Sequence, residues 1–401
     1  METLLESIRV SIDVGCHSHR VAVGLSNGKL LDEFDVKHAA LGFDSFFARI
    51  DGHQRRHGGE VLVAMEGYNG WARPLDTLVR AHGYRLFNIN NLKLARFKEI
   101  FPAAAKSDPI DARKGLELFQ LSDHLPLARG VLQEVGEIPQ AHEMLKRLSR
   151  RRRELVEEKT RILNRLQSDL QAVCPDLLSL TKDAENVWFL SLLTARESLP
   201  KLARLTHKTL LGLRGIGRKY AAVIAAWQTQ ARFSHDVDWV GPMIIEDAGR
   251  VLALRERIDQ IEASCAALVE QSTDAQVIDS LPGFGLVCAA ALAGEIGTLN
   301  RFANDGSLAV YLGMATLDNS SGTLRGSKKP RQVNWRARAT MMIGVDRHRK
   351  QVPESQRYYE KKRAEGKTHN QAVRALGRHL CRVLFSMLRD GRNYEFRNLK
   401  T

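Results

Sequence analysis

The sequence predicts a mixed α/β domain at the N-terminus followed by a mostly helical remainder. Three observations predict it. A strand signal recurs three times before residue 37, strand and helix signals then interleave to about residue 115, and apolar residues in the middle third return at helical spacing. Ile8, Val10, Ile12 and Val14 alternate with Arg9, Ser11 and Asp13, the period of a strand. A second strand over 20–25 leads through the Ser26-Asn27-Gly28-Lys29 turn into a third over 31–36, an Asn-Gly hairpin signal inside a β-meander.

The elements that follow are a helix over about 41–57, a short apolar strand over 60–66, a helix over 71–82, a strand over 84–89 and a helix from Ser107. Three antiparallel strands followed by alternating helix and strand is the order of the RNase H-like (RuvC-like) fold. Further on, Leu148, Leu155, Ile162, Leu166, Leu170 and Val173 lie on one side of a long helix. Its other faces carry the arginines 150–153, read either as a solvated face or as a contact to a structured RNA backbone. Val251, Leu254, Ile258, Ile261, Cys265 and Leu268 repeat in 3-4 spacing, a coiled-coil seam. Two such helices fold back as an antiparallel pair, associate between chains, or both. The last third opens at Leu281-Pro-Gly-Phe-Gly285, followed by an alanine-rich helix over about 286–294, a basic turn-rich stretch over 319–338 and a closing helix near 369–388. The expected domains are a metal-binding domain over 1–125, a helical coiled-coil oligomerisation region over 126–275 and a mostly α C-terminal domain with a helix-hairpin-helix over 276–401.

Composition narrows the function. The chain has 401 residues, 44% hydrophobic and only 6% aromatic, with a formal net charge of +14. A field of that sign favours polyanions, nucleic acid foremost. No apolar run is long enough to span a bilayer and no signal peptide is evident, so a membrane role is not expected. The five cysteines lack CxxC spacing and read as reduced and structural. The expected location is the cytoplasm.

Four carboxylates carry the chemistry. Asp13 alternates away from the apolar residues of its strand, and a lone buried charge is too costly to sit against a core, so solvent or a cation must reach it. Glu66 follows Val61-Leu-Val-Ala-Met65 where a buried strand emerges. Asp108 and Asp111 in Lys106-Ser-Asp-Pro-Ile-Asp-Ala-Arg113 are three apart at a helix start, hence on one face. Taken alone, that last pair reads first as capping, with Asp108 as N-cap, Pro109 at the first helical position and Asp111 near the third. Carboxylates gathered at strand ends of a basic protein are suited to holding Mg²⁺ against phosphate.

The segments Glu66-Gly-Tyr-Asn-Gly-Trp-Ala-Arg-Pro-Leu75, His82-Gly-Tyr-Arg-Leu-Phe-Asn88 and Lys106–Arg113 resemble the DEDD transposases of bacterial insertion sequences. More narrowly they resemble the "one-ten" family, whose recombinases are guided by a bridge RNA. The resemblance implies a metal-binding tetrad at Asp13, Glu66, Asp108 and Asp111. Asn90-Asn91 departs from the Asn-Pro that relatives often carry. In the C-terminal region, Leu281–Gly285 has the form of a helix-hairpin-helix whose Gly283 and Gly285 let backbone N–H groups approach a phosphate. By itself Pro-Gly-x-Gly also reads as a plain turn between helices. The resemblance runs on through Arg301-Phe302 and Tyr311-Leu-Gly313 to Ser321-Gly322 and implies that Ser321 is a nucleophile forming a phosphoserine link to DNA. Without the family, Asn319-Ser-Ser-Gly322 is a flexible turn, and Ser320 is the neighbouring alternative.

Arg325, Lys328, Lys329, Arg331, Arg336 and Arg338 surround this serine and are expected to contact phosphates. Trp335 reads either as a base-stacking side chain or as core. The resemblance further implies donor and target DNA and a guide RNA as partners, and a dimer or tetramer whose active site combines two protomers. The rival enzyme reading is a metal-dependent nuclease or Holliday-junction resolvase that uses water as nucleophile.

Overall fold

The computed structural model describes residues 6–67, 72–100, 108–122, 124, 131–321, 323, 326–331 and 333–396. The chain divides into two compact units, Met1–Glu137 and Ile138–Thr401.

The first unit is built on a sheet of order β3-β2-β1-β4-β5-β6. Strands β1 (Ile8–Val14), β2 (Ser18–Leu25) and β3 (Leu30–Lys37) form the expected antiparallel meander. β4 (Val61–Glu66) and β5 (Arg85–Ile89) then add in parallel on the other side of β1. β6 (Leu132–Glu134), which the sequence did not signal, closes the edge antiparallel to β5. Alternation within the strands splits the core between two faces. Ile8, Val10, Ile12, Val63 and Met65 pack with Phe46 and Ile50 of α1 (Ala40–His57) and Leu75 and Val79 of α2 (Arg73–Ala81). Leu62, Ala64 and Ile89 face the opposite way, onto Leu94 of α3 (Asn91–Lys98) and Leu118 and Phe119 of α4 (Asp108–Leu121). The short helix α3 was not expected; Asn90 caps it by accepting from Lys93 N at 3.1 Å.

The second unit is helical. α5 (Gln140–Val173) and α11 (Val237–Glu270) are each 34 residues long. Between them run α6 (Pro175–Leu178), α7 (Val187–Leu193), α8 (Leu199–Leu202), α9 (His207–Leu211) and α10 (Arg218–Gln228). The start of α5 shares a core with the end of α11, through Leu145, Leu155, Ile258, Ile261, Cys265 and Leu268. The end of α5 shares a second core with the start of α11, through Leu166, Leu170, Ile244 and Val251. The two helices are therefore antiparallel within one chain, and the 3-4 seam is buried in that chain's own cores. Arg152–Glu262 at 2.6 Å and Arg250–Glu158 at 3.4 Å lace the pair.

The solvated-face reading of arginines 150–153 is corrected by their partners. Arg150 makes two bonds, of 2.6 and 2.8 Å, to the buried Glu295, and Arg152 meets Glu262. Arg153 reaches Thr340 Oγ1 at 3.5 Å, which leaves only Arg151, paired with its neighbour Glu154, on a wholly exposed face. α5 packs against both α11 and α13, so Arg150 and Arg152 find acids on those neighbouring helices.

The rest of this unit comprises α12 (Thr273–Asp279), α13 (Gly285–Ile296), α14 (Asp305–Tyr311), the two-residue strands β7 (Leu317–Asp318) and β8 (Ser327–Lys328), α15 (Trp335–Gln351), α16 (Pro353–Ala364) and α17 (His369–Asp390). The stretch expected to be turn-rich through 338 ends earlier, because Asn334 accepts from Arg336 N and Ala337 N and starts α15 there.

Candidate active site and nucleic-acid interface

The sheet positions two of the four carboxylates before any helix is considered. β1 and β4 are parallel, with Ser11 opposite Ala64 and Ile12 opposite Met65, so the next pair along is Asp13 and Glu66. Ser11 and Ala64 lie on the α4 face of the sheet, and by alternation Asp13 and Glu66 do too. α4 crosses β1 in contact: a Cβ on Gly115 would overlap Ser11 Oγ. Asp111 precedes Gly115 by four residues, one turn toward the strand ends that carry Asp13 and Glu66.

The structure brings Glu66 and Asp111 onto one cation, the ammonium of Lys98, which lies 3.2 Å from Asp111 Oδ1 and 3.9 Å from Glu66 Oε2. All three side chains are largely sheltered, at 19–29% exposure. Asp108 begins the same helix, its side chain outside the described residues. Among the described residues no three Asp, Glu, His or Cys side chains stand close enough to hold one ion. The donors themselves are hard carboxylate oxygens around a place already taken by positive charge, a donor set that suits a hard divalent cation.

Ser320 and Ser321 lie, exposed, in the connection between β7 and β8. The hairpin is registered by Leu317 opposite Lys328 and Asp318 opposite Ser327, and Asn319 N donates to Gly326 O at 2.9 Å. Gly322 and Arg325 lie outside the described residues. Lys328, Lys329, Arg331 and Arg338 are exposed and form no ion pair among the described residues. Arg349 and Lys350, by contrast, are held by Asp346 at 2.7 and 2.8 Å. Trp335 is 55% exposed, so it is not core. Arg336 lies 4.4 Å over its ring and Arg153 5.6 Å from it.

The two glycines of the hairpin turn before α13 differ. Gly283 has φ 85°, and a Cβ there would lie 2.7 Å from Arg347 C and overlap His348 N. Its missing side chain serves the approach of α15, and His348 Nδ1 bonds Pro282 O at 2.8 Å beside it. Burial lowers the His348 pKa, and the bond to Pro282 O opposes that shift. The backbone approach expected at Gly283 is therefore to a helix of the same chain. Gly285, at φ 54°, is exposed with open space around its Cα and starts α13.

A buried polar network fixes α15 relative to this turn. Asn334 donates to Glu295 Oε2 and shares a hydrogen bond with Tyr311 Oη, each 2.7 Å long. Burial alone would raise the Glu295 carboxyl; bonds from Arg150 and Asn334 overcome it and hold the group below the ordinary carboxylate range.

Comparison with known proteins finds transposases. A DEDD-type profile described as "Transposase" matches residues 10–175, and one described as "Transposase IS116/IS110/IS902 family" matches 275–360. Over both stretches the chain is similar to transposases of the IS110/IS116 family. It is 28% identical over 402 residues to an insertion element IS116 protein of 44.8 kDa from Streptomyces clavuligerus, covering 98% of this chain and 97% of the relative. An insertion element IS110 protein from Streptomyces coelicolor is 29% identical over 334 residues, 81% of each chain. An IS900 protein from Mycobacterium paratuberculosis is 28% identical over 342 residues, 83% of this chain and 84% of the relative. Both profiles are of transposases, which leaves the junction-resolvase alternative without support. Among the described residues no helix is long and apolar enough to cross a membrane.

Sequence reasoning missed Lys98 and the helix that presents it. The signal available was Asn90, a capping residue followed by Leu94 and Phe97 at helical spacing. It also missed Glu295, whose only trace is an acid inside an alanine-rich apolar helix.

Proposed function

We propose that this protein is a transposase that cuts and rejoins DNA through a phosphoserine intermediate on an RNase H-like carboxylate site, guided by an RNA from its own element. The observation that carries the reading is the convergence of Glu66 and Asp111 on one cation at the ends of parallel strands. The sheet order 3-2-1-4-5, with the first three strands antiparallel, supports the RNase H-like assignment.

In this reading Asp13, Glu66, Asp108 and Asp111 would hold divalent metal, taken to be Mg²⁺, where the Lys98 ammonium now lies. Bound there, the metal supplies charge neutralisation at a scissile phosphate. Ser321 Oγ attacks phosphorus; its bond to phosphorus forms as the bond to the leaving sugar oxygen breaks. The hydroxyl proton is lost, and the sugar oxygen takes one up. Attack by a sugar hydroxyl of another DNA end reverses the step and rejoins the strand. The exposed hairpin suits delivery of the serine, and Lys328, Lys329, Arg331 and Arg338, which form no ion pair among the described residues, suit contact with strand phosphates. The exposed Trp335 suits stacking on a base, and the open Gly285 turn remains available to a phosphate. The guide RNA, the dimer or tetramer, and a serine acting with the carboxylates of another protomer rest on the resemblance to the one-ten recombinases.

The test is a covalent adduct. Incubated with element-end DNA, guide RNA and Mg²⁺, the wild type is expected to yield a protein–DNA species that survives denaturation. Ser321→Ala abolishes it and Ser320→Ala does not. Asp13→Asn abolishes it too, and mixing that variant with Ser321→Ala restores it if protomers share the site. Cleavage undiminished in Ser321→Ala would overturn the phosphoserine mechanism. Sequencing the nucleic acid that copurifies with the protein tests the guide: a discrete RNA from DNA flanking the gene supports it, and heterogeneous RNA overturns it.

A further inference from the structure

Between the base of the serine hairpin and the first turns of α17 lies a cavity of about 550 Å³. Lys329 after β8, Arg338 of α15 and Arg374 of α17 line it, and none of the three forms an ion pair among the described residues. Lys367 reaches the same cavity but is bound to Glu365 at 3.0 Å, and that carboxylate is also held by Lys362. Glu365, which also lines the cavity, is thus already paired with two lysines, Lys367 in the cavity wall and Lys362 beyond it.

Arg338 is built into the wall. Gly313 has φ 67°, and a Cβ there would lie 2.7 Å from Arg338 Cδ and 2.8 Å from Val333 Cγ1. The backbone has been pared back so that the arginine stem can lie against it. Three cations facing one concavity repel each other, and an anion with several oxygens relieves that repulsion. A free phosphate would fill little of the volume. The remaining wall is partly apolar, with Met314, Val333 and Ala375, and the cavity falls within the roughly 300–1,000 Å³ of small-ligand sites.

We propose that this cavity takes one unstacked nucleotide of the DNA strand engaged by the serine hairpin. Its phosphate lies on Lys329, Arg338 and Arg374, and its base lies against Met314, Val333 and Ala375. Ser327, which also lines the cavity, pairs with Asp318, two residues before Ser320. An extruded nucleotide held there anchors the strand beside the nucleophile, and extrusion is a common way to fix a base for chemistry. The proposal rests on the DNA-processing reading and adds a specific subsite to it.

Equilibrium dialysis of the full chain against dAMP, AMP, deoxyadenosine and inorganic phosphate tests it. The expected result is that dAMP binds about tenfold tighter than deoxyadenosine or phosphate, since each lacks one half of the recognised group. Arg374→Gln is expected to weaken dAMP about tenfold, and Ala375→Phe to abolish binding by filling the cavity. Arg338→Gln is the substitute if either fails to keep the wild-type circular dichroism. Binding of dAMP no tighter than phosphate, or indifferent to all the variants, overturns the proposal. AMP binding tighter than dAMP overturns the assignment to DNA in favour of an RNA strand. A nonspecific duplex is titrated alongside: duplex bound without dAMP selectivity defeats the cavity alone, and no binding of either defeats the DNA reading as well.

Discussion

Glu66 and Asp111 face one ammonium, and without it their mutual repulsion would be relieved only by another cation. Lys98→Met is therefore expected to lower the thermal midpoint in EDTA and to enlarge the gain on adding Mg²⁺; calorimetry of both proteins in both buffers measures it. Equal gains would separate Lys98 from the metal. At Gly283 the backbone of Arg347 and His348 occupies the space a side chain would need. Gly283→Ala is expected to cost about 2–3 kcal/mol in urea unfolding, from overlap and from a positive φ. An unchanged midpoint would mean the turn does not need its glycine for packing. Asp13 and Glu66 were legible in the sequence because a strand's alternation and its end are written locally. Lys98 and Arg374 were not, because each becomes meaningful only beside residues far away in the chain.

The elements themselves were largely legible where a period runs long enough. β1 to β5, α1, α2 and the two 34-residue helices follow from alternation or 3-4 spacing. α3 and β6 are too short for a period to declare itself, and the first was visible only through its cap. What helical spacing does not reveal is which partner a face will meet, so the arginines 150–153 read as solvent-facing until Glu295 and Glu262 are seen opposite them. The Arg150–Glu295 pair ties α5 to α13, and Asn334 extends it to the start of α15. Arg150→Met leaves a buried carboxylate half-partnered and is expected to cost about 3 kcal/mol. Arg150→Met with Glu295→Met should recover part of that loss. Equal destabilisation of the double and single variants would deny the coupling.

Two compact units imply two unfolding transitions in calorimetry, and acid should reach the first through His19. Burial, and then the neighbouring His38, lower its pKa from the ordinary 6.5 to about 4, and among the described residues its Nε2 is buried without a hydrogen-bond partner. The unfolded chain takes up a proton there that the folded chain refuses. This contribution is present in full above pH 6.5 and is lost as pH falls toward 4, at about 1.4 kcal/mol per pH unit. His19→Leu should flatten that part of the pH profile of the first unit; an unaltered slope would assign the acid sensitivity elsewhere. Across the second unit, the antiparallel pair sets a length scale. One core takes α5 at Leu145 and Leu155 and the other takes it from Ile162 to Val173, so their middles stand about 26 Å apart at 1.5 Å per residue. That interval works as a rigid caliper: whatever grips the far end of the helical pair is metered from the hairpin end in whole residues, and deleting a heptad from both arms would reset the gauge by about 10 Å.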